Sequence, residues 1–253
     1  MPIRFTKLLI FLSLLLTEGN HLLYAQFSID LESGAVINGL YNEVRIPGNE
    51  GDFFDLEKDF GSDPTFFYRL RLNYTLNNRH TFSVLYAPLA ISYQPTSFNR
   101  DIFFNGENFT ANQNIRANYQ FNSYRLTYRY NFVRNGNFRF GAGITAKIRD
   151  AAIGLSSDNQ VSEKTDFGFV PLINFYATLN LTPDLLLILD GDALVSTQGR
   201  AEDIFLGFGY FIIPERLLVK GGYRVLEGGA DNDEVYNFTW LNYISGGLIL
   251  NLF

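Results

Sequence analysis

The sequence contains no cysteine, and this absence excludes several kinds of protein. Without thiols the chain can form no disulfide framework, carry no lipid attached through cysteine and build no zinc site with thiolate ligands. If the chain is exported, its domain must be stabilised in another way, and we expect a large closed β-sheet.

Linkers, low-complexity tracts and blocks of like charge are also missing. No Gly/Ser or Pro run divides the 253 residues, which predicts one domain. Without residues 1–25, which carry Arg4, Lys7 and Glu18, the 20 basic and 26 acidic residues fall to 18 and 25, a net charge of −7. This balance argues against nucleic acid as a partner.

The apolar run LLIFLSLLL at 8–16 is too short to cross a bilayer as a helix. Arg4 and Lys7 precede it, and a polar stretch ending in LLYA follows it. This order predicts a cleaved signal peptide over residues 1–25, although Leu23 departs from the rule of small residues before the cleavage site. The remaining residues, 26–253, form the predicted domain.

Charged and apolar residues alternate in the segment SYRLTYRYNFVRNGNFRFGAGITAKIR, residues 123–149. The basic residues of its two predicted strands occupy odd positions, and Tyr, Leu, Phe, Ala and Ile dominate the even ones. Because successive side chains of a strand point to opposite faces, the pattern predicts a hairpin with one charged and one apolar face. We expect residues 133–137 to form its turn, with positive φ angles at Asn135 and Gly136.

The same alternation recurs along the chain and predicts ten strands. Their expected bounds are 26–38, 65–76, 81–93, 120–132, 138–150, 168–181, 185–197, 202–213, 217–226 and 237–252. An even count favours a closed antiparallel barrel, with eight or twelve strands as alternatives. Within the third strand, Pro88 and a change in apolar parity predict a β-bulge.

The predicted connections alternate in length. Tight turns at 77–80, 133–137, 182–184 and 214–216 are separated by long polar connections at 39–64, 94–119 and 151–167 and by shorter ones near 198–201 and 227–236. Barrels of the bacterial outer membrane combine short periplasmic turns with longer external loops, whereas a soluble sandwich has no reason to sort its loops. The pattern therefore favours a transmembrane barrel whose apolar face meets lipid.

The chain ends in SGGLILNLF, an apolar strand with a terminal aromatic residue. This ending resembles the C-terminal signal of bacterial outer-membrane β-barrel proteins, although Phe253 is out of phase with Leu248, Leu250 and Leu252. The resemblance implies a location in the outer membrane of a Gram-negative bacterium. It also implies contact with outer-membrane lipid and lipopolysaccharide, and recognition of the C-terminal strand by the barrel assembly machinery.

The charged face of the strands would then line the lumen of the barrel. We expect a network of ion pairs there, because an unpaired buried charge is costly. The alternative is a narrow path for ions or small solutes, as in a porin. The predicted lumen charges are Asp30, Glu32, Arg69, Arg71, Arg125, Arg129, Arg139, Lys147, Arg149, Asp190, Asp192, Lys220 and Arg224.

Histidine is nearly absent, which bears on catalysis. The known families of barrel enzymes, among them the lipid A deacylases and the omptin proteases, use an active-site histidine. Here His21 lies in the predicted signal peptide and His80 in a predicted periplasmic turn, so those mechanisms do not transfer. We expect no enzyme and no cofactor, with a histidine-free enzyme as the third alternative after the diffusion channel.

The first long connection combines acidic and aromatic residues. Its spacing matches no EF-hand, so no metal site is predicted. The phenylalanines of this and the next connection are too apolar for free coil, and they indicate loops that pack over the barrel mouth or bind an unspecified surface ligand. The candidate residues are Asp52, Asp55, Glu57, Asp59, Phe53, Phe54, Phe103 and Phe104. Together these features predict a non-enzymatic barrel with a structural or surface-binding role.

Overall fold

The computed structural model describes residues 25–197 and 199–252. The predicted signal peptide up to residue 24 and the terminal Phe253 therefore lie outside the described residues. Within residues 25–197 and 199–252, no helix is long and apolar enough to cross a membrane.

The described chain is built almost entirely of antiparallel strands. Their bounds are β1 Ala25–Arg45, β2 Phe54–Asp55, β3 Thr65–Leu76, β4 His80–Ala87, β5 Ala90–Ser92, β6 Ile102–Phe104, β7 Glu107–Phe109, β8 Arg116–Arg134, β9 Phe138–Ser156, β10 Val161–Asn180, β11 Leu185–Ser196, β12 Gly199–Ile213, β13 Leu217–Asp231 and β14 Tyr236–Asn251. One short π-helical turn, Leu56–Phe60, follows β2.

Ten of these strands form a closed barrel. The order runs β1, β3, β4, β8 and then β9 to β14, with β5 continuing β4 along β8. Pairing of β14 with β1, from Ser28 opposite Asn251 to Arg45 opposite Tyr236, closes the sheet. The predicted closed antiparallel barrel of ten strands is confirmed. A closed sheet leaves no free edge between its first and last strands.

Several of the predicted connections are longer than the observed ones, because the strands extend into them. β1 runs to Arg45 and so shortens the first long connection, β9 and β10 are joined by a short turn between Ser156 and Val161, and β13 and β14 are joined by a short turn between Asp231 and Tyr236. In these extensions inward residues such as Val44 and Leu155 are buried and apolar, whereas the outward positions mix polar residues with exposed apolar ones such as Leu40, Val161 and Phe167. The regular alternation of an apolar outer and a polar inner face is lost there, so a pattern based on it ends the strands too early.

The bulge predicted at Pro88 is also wrong. Ala87 lies opposite Ser123 and Ala90 opposite Gln120, so the register is the same on both sides of the proline. The apparent change of parity arises because Leu89 and Ile91 face inward, where the interior turns from polar to apolar. Irregularities of register occur elsewhere, for example twice in β1 against β14 between Val36 and Tyr41.

The turn after β8 differs from the expected geometry as well. Neither Asn135 nor Gly136 has a positive φ, whereas Asn77 and Asn78 in the preceding tight turn do. The Asn135 Oδ1 atom instead accepts hydrogen bonds from the backbone N–H groups of Asn137 (3.2 Å) and Phe138 (2.8 Å). An asparagine side chain can organise a turn in this way without left-handed backbone.

The two ends of the barrel differ. We call the end with the short turns near 78, 136, 183 and 215 the turn end, and the opposite end the loop end. Between them lies an exposed belt of large apolar side chains, the apolar belt, which includes Leu31, Leu72, Val84, Leu126, Ile144, Phe169, Leu206, Phe208, Ile244 and Leu248. Pairs of aromatic rings in contact with each other lie along the belt, for example Tyr86 with Tyr124 and Phe82 with Tyr128.

The inside of the barrel changes character along its axis. Small polar residues such as Thr81 and Ser83 and a small apolar cluster around Ile188 and Leu218 lie toward the turn end, charged residues fill the middle, and a larger apolar core fills the loop end. Two segments, residues 46–64 and 93–115, fold into the loop end and supply much of this core. We call these two segments the plug.

Candidate functional site

Three arginines converge on one carboxylate in the middle of the lumen. Asp203 of β12 pairs with Arg69 of β3 at 2.9 Å, and also with Arg125 of β8 and Arg224 of β13. All four side chains are buried. Because β3 and β8 are far from β12 around the barrel wall, these contacts cross the lumen.

Glu32 of β1 forms the second centre of charge. Arg224 donates to it from two nitrogens, at 2.7 and 2.9 Å, which is the strong bidentate arrangement of guanidinium and carboxylate. Lys220 also reaches Glu32 at 2.9 Å and links it to Asp30 at 2.8 Å. These contacts join the strand that closes the barrel to β13.

The two carboxylates of β11 complete the set. Asp192 pairs with Arg125 at 2.7 Å and accepts hydrogen bonds from Thr145 (2.7 Å) and Asn174 (2.9 Å). Asp190 pairs with Arg71 of β3 at 3.2 Å. We call the charged residues of these three paragraphs the lumen network. Six strands contribute to it, so it cross-links the barrel from the inside.

Sequence reasoning missed Asp203 and misplaced two arginines. Asp203 shares the odd face of β12 with Gly207 and Gly209, so the alternation could have identified it. Arg139 is exposed beside the turn before β9, because a long side chain so near the strand end reaches water. Arg149 lies above the network, where it pairs with the exposed Asp166 of β10. The prediction that Arg139 and Arg149 belong to the lumen network is therefore wrong.

Two buried cations of the described lumen have no acidic partner. The middle of the lumen carries seven cations, namely Arg69, Arg71, Arg125, Arg129, Lys147, Lys220 and Arg224, against the five carboxylates of Asp30, Glu32, Asp190, Asp192 and Asp203. The two left over each contact an aromatic ring. The Arg129 guanidinium lies 4.2 Å from the centre of the Tyr176 ring, and Lys147 Nζ lies 4.5 Å from that of Phe121.

The acidic residues of the plug face its own backbone and neighbours. Glu57 accepts hydrogen bonds from the Gly39 N–H at 3.0 Å and from the Tyr93 hydroxyl at 2.8 Å. Burial, together with the Glu57 carboxylate, raises the pKa of Tyr93 far above its ordinary value, so the phenol stays protonated and donates. Glu57 thus ties both segments of the plug to β1.

Most of the remaining candidate residues of the plug hold the plug together, and one phenylalanine is exposed at its surface. Asp55 caps the π-helical turn and accepts from the Asn42 N–H, Asp59 accepts from the Asp55 N–H, and Asp52 accepts from the Phe103 N–H. Phe54 and Phe104 are fully buried in the apolar core, whereas Phe53 is 48% exposed. Occlusion of the mouth, one of the two roles expected of these loops, is what the structure shows. Of these phenylalanines Phe53 is the most available to a partner.

The plug leaves one side of the loop end open, as a cavity of about 920 Å³. Its walls come from β9, β10 and the ends of β11 to β14, and Lys147 and Phe121 lie at its base beside the lumen network. Three ion pairs surround it: Arg149 with Asp166, Arg200 with Glu227 (2.6 Å), and Lys164 with Glu234 (3.2 Å). This volume lies in the range of small-molecule sites.

The barrel wall is incomplete beside this cavity. β10 pairs with β11 only from Asn180 to Ile173, and in the part of the chain that the structure describes its residues 161–172 pair with β9 alone. β11 ends three residues beyond Ala193, where it turns into β12 between Ser196 and Gly199. The lone edge contains Pro171, which lacks the N–H that a second partner would need. Toward the loop end, the ion pair of Lys164 with Glu234 bridges this gap. We call the opening between β10, the end of β11 and this ion pair the wall window.

The only histidine of the described residues lies at the other end of the barrel. His80 begins β4 at the turn end, and its Nδ1 atom is 2.9 Å from the Tyr128 hydroxyl. Residues 25–197 and 199–252 also contain no group of three side chains from His, Cys, Asp and Glu that could hold a metal ion.

Comparisons with known proteins identify the fold. No family model matches the chain, and no curated protein matches it. Among solved structures, the outer membrane protease OmpT from Escherichia coli superimposes with a TM-score of 0.53 at 10% identity, covering 90% of this chain and 97% of that one. The attachment invasion locus protein Ail of Yersinia pestis gives 0.38 at 12% identity (88% and 97% covered), and Neisserial surface protein A gives 0.35 at 13% (93% and 100%). At 10% identity the likeness to OmpT shows a shared β-barrel fold, without an activity.

Proposed function

We propose that the protein is a non-enzymatic barrel of the Gram-negative outer membrane, closed to ions, that binds a ligand at its external mouth. The turn end would face the periplasm and the loop end the outside. Outer-membrane lipid and lipopolysaccharide would surround the apolar belt, and the final strand would engage the barrel assembly machinery. The belt, with its aromatic rows, supports this placement.

The lumen network is the observation that carries the closed state. Arg69 and Arg125 reach Asp203 across the lumen, Arg224 joins it from the adjacent strand, and the plug adds a second barrier above them. An ion would have to displace buried ion pairs whose charges lose their partners on opening, which is costly. This argument favours a closed barrel over the rival function, a narrow diffusion channel.

The cavity supports a binding role. It is a part of the described interior that the plug and the lumen network leave open, and three ion pairs lie at its rim. The distance between this cavity and His80, at opposite ends of the barrel, supports the absence of histidine-based catalysis.

Bilayer recordings test the closed state. We expect the refolded mature chain, shown to be folded by its heat-modifiable migration on gels, to give no discrete conductance steps in planar bilayers. A conducting porin reconstituted in parallel shows that insertion works. Reproducible steps whose size changes in Asp190→Ala would instead establish the lumen as a pathway and contradict the proposal.

A further inference from the structure

Lys147 lies at the base of the cavity and is 3% exposed. Among the described residues, its ammonium group has neither a carboxylate nor a hydrogen-bond acceptor as partner. It contacts the face of the Phe121 ring instead. A buried cation in this state favours any anion that can reach it, because the anion supplies the missing charge. The cavity offers the space for that anion.

The other cations around the cavity do not compete for this anion. Arg149, Lys164 and Arg200 each already pair with a carboxylate. One cation without a partner therefore selects a ligand with one negative charge. A ligand with several charges would have to break the pairs that hold the rim.

The wall window indicates what else the ligand contains. Val170 and Pro171 of β10 and Leu194 of β11 line both the window and the cavity. Outside the window the apolar side chains are strongly exposed, with Phe169 at 67% and Val195 at 73%. Since Phe169 pairs with Ile148 of the belt region, the window adjoins the apolar belt and hence, in the proposed orientation, the outer leaflet.

We propose that the cavity binds a single-chain amphiphile with one anionic headgroup, whose acyl chain lies in the wall window and whose headgroup pairs with Lys147. The inference rests on the proposed function for the orientation of the barrel and for the cavity as the ligand site. A volume of about 920 Å³ is within the range that encloses ligands of this size.

Energy transfer from the single tryptophan tests the proposal. Trp240 follows Thr239, which lines the cavity. The probe is a stearate carrying an anthroyloxy fluorophore, titrated into the refolded mature protein in maltoside micelles. We expect saturable transfer that methyl esterification of the probe weakens at least tenfold. Millimolar acetate or inorganic phosphate should not displace the probe, since an anion alone lacks the chain that occupies the window.

Variants test whether the charge of Lys147, and not a change in the fold, determines binding. Lys147→Met should reduce affinity for the acid probe at least tenfold and leave the ester unchanged, whereas Lys147→Arg should retain binding. Arg129→Met is the matched control, because Arg129 is also a buried cation over an aromatic ring, and it is outside the cavity lining. Ser196→Trp at the exposed end of β11 should block the window and abolish binding in a folded barrel.

Three results would overturn the inference. The first is equal affinity of the wild type and Lys147→Met for the acid probe, and the second is equal affinity for acid and ester. The third is displacement of the probe by acetate or phosphate alone. Conductance steps in bilayers would refute the closed state without touching these binding results, so the two proposals fail separately.

Discussion

Replacement of Asp203 by asparagine is expected to destabilise the barrel by about 3–5 kcal/mol, the range for removing one partner of a buried ion pair. The change keeps the shape of the side chain and removes the charge on which Arg69, Arg125 and Arg224 converge. Three buried guanidinium groups then face one another with less compensation. Urea unfolding in lipid vesicles, followed by heat-modifiable gel migration, measures the free energy of unfolding.

Asp166→Asn is the matched control for this experiment. Asp166 also pairs with an arginine, Arg149, but its side chain is exposed, so the loss should stay within about 0–1 kcal/mol. Adding Arg69→Met to Asp203→Asn should recover part of the stability, since Asp203 is the carboxylate that Arg69 contacts. A loss below about 1 kcal/mol for Asp203→Asn would contradict the role assigned to the network.

Truncation of Phe54 to alanine is expected to free the plug while the barrel stays closed. Phe54 is 1% exposed and packs against Phe60 and Phe104, with ring centres 6.1 and 5.9 Å apart. Loss of a buried phenylalanine costs about 3–5 kcal/mol, and the two rings that Phe54 touches belong to the apolar core of the loop end. We expect trypsin to cleave after Lys58 roughly 100-fold faster or more, if cleavage follows local opening.

The adjacent Phe53 provides the control for this prediction. It is the same residue type one position earlier, half exposed, and its truncation should change the cleavage rate only a few-fold. Cleavage after Lys58 is measured by mass spectrometry, and heat-modifiable migration shows in parallel that the barrel remains folded. Equal rates in the two variants would mean that the plug does not depend on its buried aromatic core.

The alternation of side chains predicted the barrel and most of the inward charges. Glu32, Arg71 and Lys220 were identified because a strand with one lipid face must direct its charges to the other face. Alternation assigns a face and says nothing of depth along the axis. For this reason it gave Arg139, at a strand end, and Arg149, beside the cavity, the same role as Arg125 in the middle.

The pairing of the charges and the course of the plug could not be predicted. Arg69 and Asp203 are 134 residues apart in sequence, and their contact depends on the curvature of the closed sheet. The plug has no periodicity, so its phenylalanines indicated burial without indicating neighbours. The wall window escaped prediction because it arises from the unequal lengths of neighbouring hairpins, and strand ends are where an alternating pattern is weakest.

The contacts of Glu32 have a consequence for how the two ends of the chain find each other. Alternation forbids the closing pair β1 and β14 from slipping by one residue, since every side chain would change face. A slip of two residues keeps all faces and shifts the strands by only about 7 Å. Such a slip would carry Glu32 away from Lys220 and Arg224 on β13, leaving buried charges unmatched. The charges inside the barrel thus select one register among those that the apolar surface alone would accept.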